Sequence, residues 1–254
     1  MKPFTRAATA AATALALLST PAQALDLDNM SETEREAFGE QIRAYLLENP
    51  ELILEAVDLL EQRQQQAEAV RDDTLVADNL AELQNDGYSW VGGNPDGDIT
   101  LVEFMDYRCG YCRRAAPEVE KLVKGDGNIR LVIKEFPILG EASVLSSRFA
   151  VAAKLVAGGE AYKQVHDALI EFGSEPNEVA LRRLAEGLSL DAEAIFAKMD
   201  SEEVTAELRQ TRALAQKMAI SGTPTFVLGN ELLRGYLPAD QMEIMVAEIR
   251  DQRS

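Results

Sequence analysis

Two cysteines, one histidine and one tryptophan are all that 254 residues contain of these types. Two cysteines cannot build the disulfide framework that holds small secreted domains together. The single histidine, His166, leaves a zinc site short of ligands. A Cys–His hydrolase would need it beside a thiol, so the plainer reading of His166 is a packing or surface residue. No stretch after the first 24 residues is long and uncharged enough to cross a bilayer. Cations are scarce as well: 25 Lys and Arg face 43 Asp and Glu, a formal charge of −18. That balance argues against nucleic acid as a partner and favours solubility, without bearing on fold.

What is present begins with a leader. Lys2 and Arg6 precede an apolar stretch from Ala7 to Leu18, and Ala22-Gln23-Ala24 offers a small-residue cleavage site. The reading is a secretory signal over residues 1–24, a mature chain from Leu25 and a periplasmic protein; an uncleaved anchor is the alternative. Losing Lys2 and Arg6 takes the charge to −20.

Ser31 and Glu34 form a capping-box pattern, with Phe38, Ile42, Tyr45 and Leu46 following at helical spacing up to Asn49-Pro50. A second helix is predicted from Glu51, with Ile53, Val57 and Leu60 on one face. Its stripe fails across Gln62 to Gln66, polar residues dominate to Asp73, and a weaker pattern resumes at Leu75, Val76, Leu80 and Leu83. Two or three such helices enclose no core of their own, so their apolar faces are expected to self-associate or to fold back onto the rest of the chain.

From Tyr88 the pattern turns to short strands: Tyr88 to Val91, then Ile99 to Met105 after the turn-rich Gly92 to Asp98. A helix to about Lys124, with Pro117 expected to kink it, leads to a third strand, Ile129 to Phe136. Strand, helix, strand implies parallel pairing. Helical periodicity from about Glu141 to Ile220 is broken at Gly158-Gly159, Gly173 to Pro176, and Gly187 to Leu190. Gly229-Asn230 between Thr225–Leu228 and Glu231–Arg234 signals a hairpin, and a closing helix carries Met242, Met245 and Ile249 on one face.

The chemistry sits at Cys109-Gly110-Tyr111-Cys112, where a strand turns into a helix. A thiolate at a helix N-terminus faces unsatisfied N–H donors and the positive end of the macrodipole, which favours Cys109 as nucleophile. Cys112, one turn inside the helix, suits the resolving thiol. Arg108, Arg113 and Arg114 either support that thiolate or are ordinary solvated side chains. As a purely structural bridge the pair would close a very short ring, worth about 2 kcal/mol and less than a bridge between distant segments. Holding Cu(I) between two thiolates is a further role open to the pair. Glu103 shares a strand face with Leu101 and Met105 and is therefore expected to be buried, with Lys134 on the neighbouring strand as its candidate partner.

In order along the chain, Glu103 to Cys112, Lys134 to Gly140, and Gly222-Thr223-Pro224-Thr225 resemble the DsbA-like branch of the thioredoxin superfamily. The resemblance covers roughly Tyr88 to the C-terminus. It implies a thioredoxin-like α/β fold over residues 87–140 and 221–254, an inserted helical domain over 141–220, and a helical N-terminal segment and linker over 25–86. That segment is similar to the oligomerisation segment of ScsC-type members, which implies a homo-oligomer, a trimer by resemblance. Catalytic roles fall on Cys109, Cys112, Glu103 and Lys134, the last two managing the Cys112 proton. Substrate contact falls on Gly110, Tyr111, Thr223 and a cis Pro224; a trans proline opening an edge strand is the alternative. Gly110-Tyr111 resembles the dipeptide of the isomerase DsbC, where DsbA-type oxidases have Pro-His, and Thr223 before Pro224 resembles the isomerase and ScsC-type pattern. A disulfide isomerase or reductase acting on exported proteins with disulfides is expected, reset by a membrane-bound thiol reductase. Neither cofactor nor resident metal is implied. A DsbA-like oxidase and a periplasmic Cu(I)-binding or chaperone protein are the alternatives.

Overall fold

The computed structural model describes residues 29–253, so the leader lies outside the described residues. The described residues divide into two compact units between Gln62 and Arg63.

In the first unit, helix α1 (Glu32–Glu48) starts on the expected capping box: the Glu34 N–H donates to Ser31 Oγ while Glu34 accepts from the Ser31 N–H. Asn49 caps its end and Pro50 precedes α2 (Glu51–Gln84). No residue of α1 is buried, and Ile42, Tyr45, Ile53, Val57 and Leu60 are all exposed. The failure of the apolar stripe across Gln62 to Gln66 does not end the helix, which runs unbroken to Gln84. Residues 51–84 contain no Gly or Pro, and Gln, Glu, Ala and Arg are good helix formers. The break in the stripe is no break in the helix, and the buried residues of α2, Asp72, Val76 and Leu83, all follow it.

The second unit is built on a five-stranded sheet ordered β1-β3-β2-β4-β5, from β1 (Trp90–Gly93), β2 (Ile99–Met105), β3 (Ile129–Glu135), β4 (Thr225–Leu228) and β5 (Glu231–Arg234). β2 and β3 pair parallel through α3 (Gly110–Asp126), and the remaining pairs are antiparallel. β1 starts two residues later than the sequence pattern suggests, because the N–H groups of Tyr88 and Ser89 donate to the Asp86 carboxylate instead of a strand. α3 runs through Pro117 as one helix.

Alternation splits the strands between two faces. Leu101, Met105, Leu131, Ile133 and Phe226 join a core with α3 and α8 (Ala239–Gln252). That core continues without interruption into α4 (Glu141–Ile170), α5 (Glu178–Gly187) and α6 (Ala192–Met199). The region 141–220 is therefore helical as expected but shares its core with the sheet; α4 breaks from helical geometry at Gly158, where φ is +86°. Val102, Phe104, Val132 and Val227 form a second core, covered by α7 (Glu202–Lys217) and by Val76 and Leu83 of α2. The C-terminal half of α2 thus belongs to the sheet's packing, and the unit boundary falls at residue 62 and not near 86. Asp72 adds a two-pronged ion pair to Arg234 of β5.

Candidate functional site

β2 delivers its C-terminal end to the start of α3, and Asp106 shapes the connection. Buried completely, its carboxylate accepts from the N–H groups of Arg108 at 2.8 Å, Ile138 at 2.8 Å and Leu139 at 3.1 Å. It fastens the loops after β2 and β3 to each other. Sequence reasoning passed over Asp106, although an acid just before a helix start is the signal of such a loop.

Cys109 then occupies the N-cap of α3, with no side chain capping the first turn and no acid in it. The unsatisfied N–H groups and the dipole of α3 are left to the thiol at its start. Cys109 retains 8% exposure and Cys112 none, a difference that leaves only Cys109 open to a substrate. The Cys109 thiol donates to the Thr223 carbonyl at 3.1 Å, and the Thr223–Pro224 bond is cis. Gly110 and Tyr111 lie exposed beside it. Cys112 Sγ accepts from the Asp106 N–H at 3.5 Å.

Glu103 is 4% exposed, and burial pushes its carboxyl up to about 8, with the Glu135 carboxylate adding to the effect. Burial pushes the Cys112 thiol up too, and the next largest cause is the Glu103 carboxylate, which places acid and thiol within electrostatic reach. Lys134 is not part of this group. The parallel register sets Glu103 against Ile133, so Lys134 is one residue out of phase and points to the opposite face. There its Nζ pairs with Asp86 and donates to the Glu82 carbonyl at 2.9 Å. The expected Glu103–Lys134 pair does not form. Asp86, the actual partner, lies in the turn after α2, where no local pattern ties it to β3.

Each of the three arginines has a partner: Arg108 donates to the Ser174 carbonyl at 3.1 Å and Arg113 to the Tyr107 carbonyl at 2.9 Å, while Arg114 lies over the rings of Tyr236 at 4.7 Å and Tyr111 at 5.9 Å. His166 is buried, 3.2 Å from the Tyr107 hydroxyl, as a packing residue would be. Among the described residues no cluster of three or more His, Cys, Asp or Glu side chains is placed to hold a metal ion.

Known protein families match the chain in two regions. The family described as DSBA-like thioredoxin domain matches residues 100–250, and that described as copper resistance protein ScsC N-terminal domain matches residues 34–67. A thioredoxin-like oxidoreductase from Silicibacter pomeroyi is 43% identical, with a TM-score of 0.63 over 67% of this chain and 97% of its own. A linker-deletion mutant of Proteus mirabilis ScsC is 25% identical, with a TM-score of 0.64 over 88% of this chain and 98% of its own. A probable disulfide bond formation protein D from Bacillus anthracis is 28% identical over 54% of this chain and 69% of its own. The chain also matches a sodium/proton antiporter of Salinispora tropica at 29% identity, over 57% of this chain but only 22% of that much longer protein.

Proposed function

The chain belongs to the DSBA-like thioredoxin family, a thiol–disulfide oxidoreductase of DsbA/ScsC type, and on that premise we propose that it is an exported disulfide isomerase or reductase working through Cys109 and Cys112. The observation that carries this reading is the asymmetry of the pair: one thiol at the open helix start beside Thr223, the other buried within reach of Glu103.

In the forward reaction the Cys109 thiolate attacks a substrate disulfide, forming one S–S bond while the electron pair of the broken bond leaves on the substrate's second sulfur, which takes a proton from water. The Thr223 backbone beside Cys109 offers a place for the substrate strand. Glu103 then takes the Cys112 proton, Cys112 attacks Cys109 Sγ, and the first substrate sulfur leaves reduced. Net, the substrate disulfide is reduced and Cys109–Cys112 is oxidised. Isomerisation needs only the first attack and its reversal against a different substrate sulfur.

Gly110-Tyr111 supports the isomerase direction, since no imidazolium stands between the cysteines. The exposed apolar residues of α1 and the first half of α2 support self-association as a homo-oligomer, with the ScsC-type resemblance favouring a trimer. The leader supports a periplasmic location for the mature protein, and a membrane-bound thiol reductase is the expected resetting partner. Oxidase activity is the second reading, favoured by the name of the Bacillus anthracis relative. The redox state of the pair in the exported compartment tests the choice. An isomerase is found reduced; a pair found oxidised is that of an oxidase.

A further inference from the structure

Glu135 is a second buried carboxylate, which the reaction above leaves without a role. It ends β3 with Met105 as its register partner, and Ile133, two residues before it, partners Glu103. Glu103 and Glu135 therefore share one sheet face on adjacent strands, 4% and 2% exposed. Three hydroxyls converge on Glu135: Tyr107 donates at 2.7 Å and Tyr162 at 2.6 Å to Oε1, and Ser147 at 2.7 Å to Oε2. Such a cage suits an ionised carboxylate, which only accepts. With the Tyr107 proton given to Glu135, the 3.2 Å contact to His166 assigns the proton on Nδ1 as the donor to the Tyr107 oxygen.

Other charges face the cage. Glu207 of α7 acts on Glu135 but is itself paired with Lys154 of α4 at 2.5 Å. Asp167 and Lys163, paired with each other on α4, flank His166. Burial pushes His166 down to about 4, so the imidazole is neutral near pH 7, and it pushes Glu135 up to about 7 against the pull of its three hydroxyls. Glu135 and Glu103 therefore both change charge near neutral pH. A cleft of about 650 Å³ between α3, β1, β3 and α4 is lined by both Glu103 and His166, giving Glu103 a path for proton exchange with solvent.

We propose that Glu135 is a positioning residue for the dithiol site: its caged carboxylate, on the same sheet face as Glu103, sets how tightly Glu103 holds a proton and thereby the pH range in which Cys112 can attack. The inference rests on Glu103 as acceptor of the Cys112 proton. In that step the proton passes from Cys112 to ionised Glu103, the Cys112–Cys109 bond forms, and the electron pair of the Cys109–substrate bond leaves on the substrate sulfur. A charge on Glu135 opposes ionisation of Glu103 and keeps the acceptor filled to higher pH.

The test follows the reduced full-length protein reacting with an aromatic disulfide that releases a coloured thiolate. Attack by Cys109 releases the first thiolate and attack by Cys112 the second, and the second rate is measured against pH. Glu135→Gln is expected to move its midpoint to lower pH by about one pH unit. Ser147→Ala, which keeps the carboxylate but removes one donor to its charge, should move it less in the same direction. In a Glu103→Gln background, Glu135→Gln should move nothing. An unmoved or raised midpoint in Glu135→Gln overturns the proposal and leaves the role of Glu103 standing. Should that variant not fold, an unmoved midpoint in Ser147→Ala overturns it. A Glu103→Gln profile identical to wild type overturns both the proposal and the role of Glu103.

Discussion

Cys109 and Cys112 are three residues apart and differ in their surroundings more than in their chemistry. One caps a helix with its sulfur against a loop carbonyl; the other is sealed among core residues with an acid within electrostatic reach. Cys109→Ser should abolish exchange, whereas Cys112→Ser should accumulate mixed disulfides, seen as substrate adducts on non-reducing gels or by intact mass. Alkylation of Cys112 before Cys109 would reverse the assignment. Glu103 gives a second prediction at this scale. Its carboxyl binds its proton more tightly folded than unfolded, so its stabilising protonated form is fully present below about pH 4.5 and is lost as pH rises towards 8. Glu103→Gln should therefore match the wild type in stability at pH 4.5 and exceed it at pH 8, by up to about 4 kcal/mol. Denaturant unfolding of the reduced proteins at the two pH values checks this; a wild type that is the more stable at pH 8 contradicts it.

Among the elements, α2 changes most between sequence and structure. Its first half is exposed, while Val76 and Leu83 of its second half are fully buried beneath the sheet. Leu83→Ala should cost about 2–5 kcal/mol. Removing one partner of the buried Lys134–Asp86 pair, as in Asp86→Ala, should cost about 3–5 kcal/mol, because Lys134 would be left charged and buried. Chemical unfolding midpoints measure both, and values near zero would show that the end of α2 is not part of the core. The β2–α3–β3 unit, the β4–β5 hairpin and the glycine breaks were legible because each is written within a few consecutive residues. What stayed hidden depends on phase or distance. Lys134 was set against Glu103 by neighbouring strands, but one residue of register turned it to the other face and to Asp86, 48 residues away. The cage around Glu135 is assembled by α4 crossing behind the sheet, and no spacing in the sequence links Tyr107, Ser147 and Tyr162.

The whole molecule joins a unit with no buried residue in its first helix to one with two cores. Apolar side chains at Ile42, Tyr45, Ile53, Val57 and Leu60 remain exposed in the single chain, and covering them is the expected role of further copies. Deleting residues 25–62, which spares Asp72, Val76 and Leu83, should give a folded monomer that still reduces a simple disulfide; a cut as late as residue 73 would also sever the Asp72–Arg234 pair. Light scattering and a disulfide reduction assay read the two properties, and an intact oligomer after the deletion would show that the first unit does not drive assembly.

Several sites on one assembly raise the effective concentration of thiolate around a bound substrate, which reshuffling uses and simple reduction does not. The most direct measurement is recovery of activity from a scrambled multi-disulfide substrate, compared between the full-length protein and the 25–62 deletion. The full-length protein should restore activity well and the monomer poorly. Equal recovery by the two, or rapid oxidation of reduced substrate with no reshuffling, would contradict an isomerase built from several copies of this site.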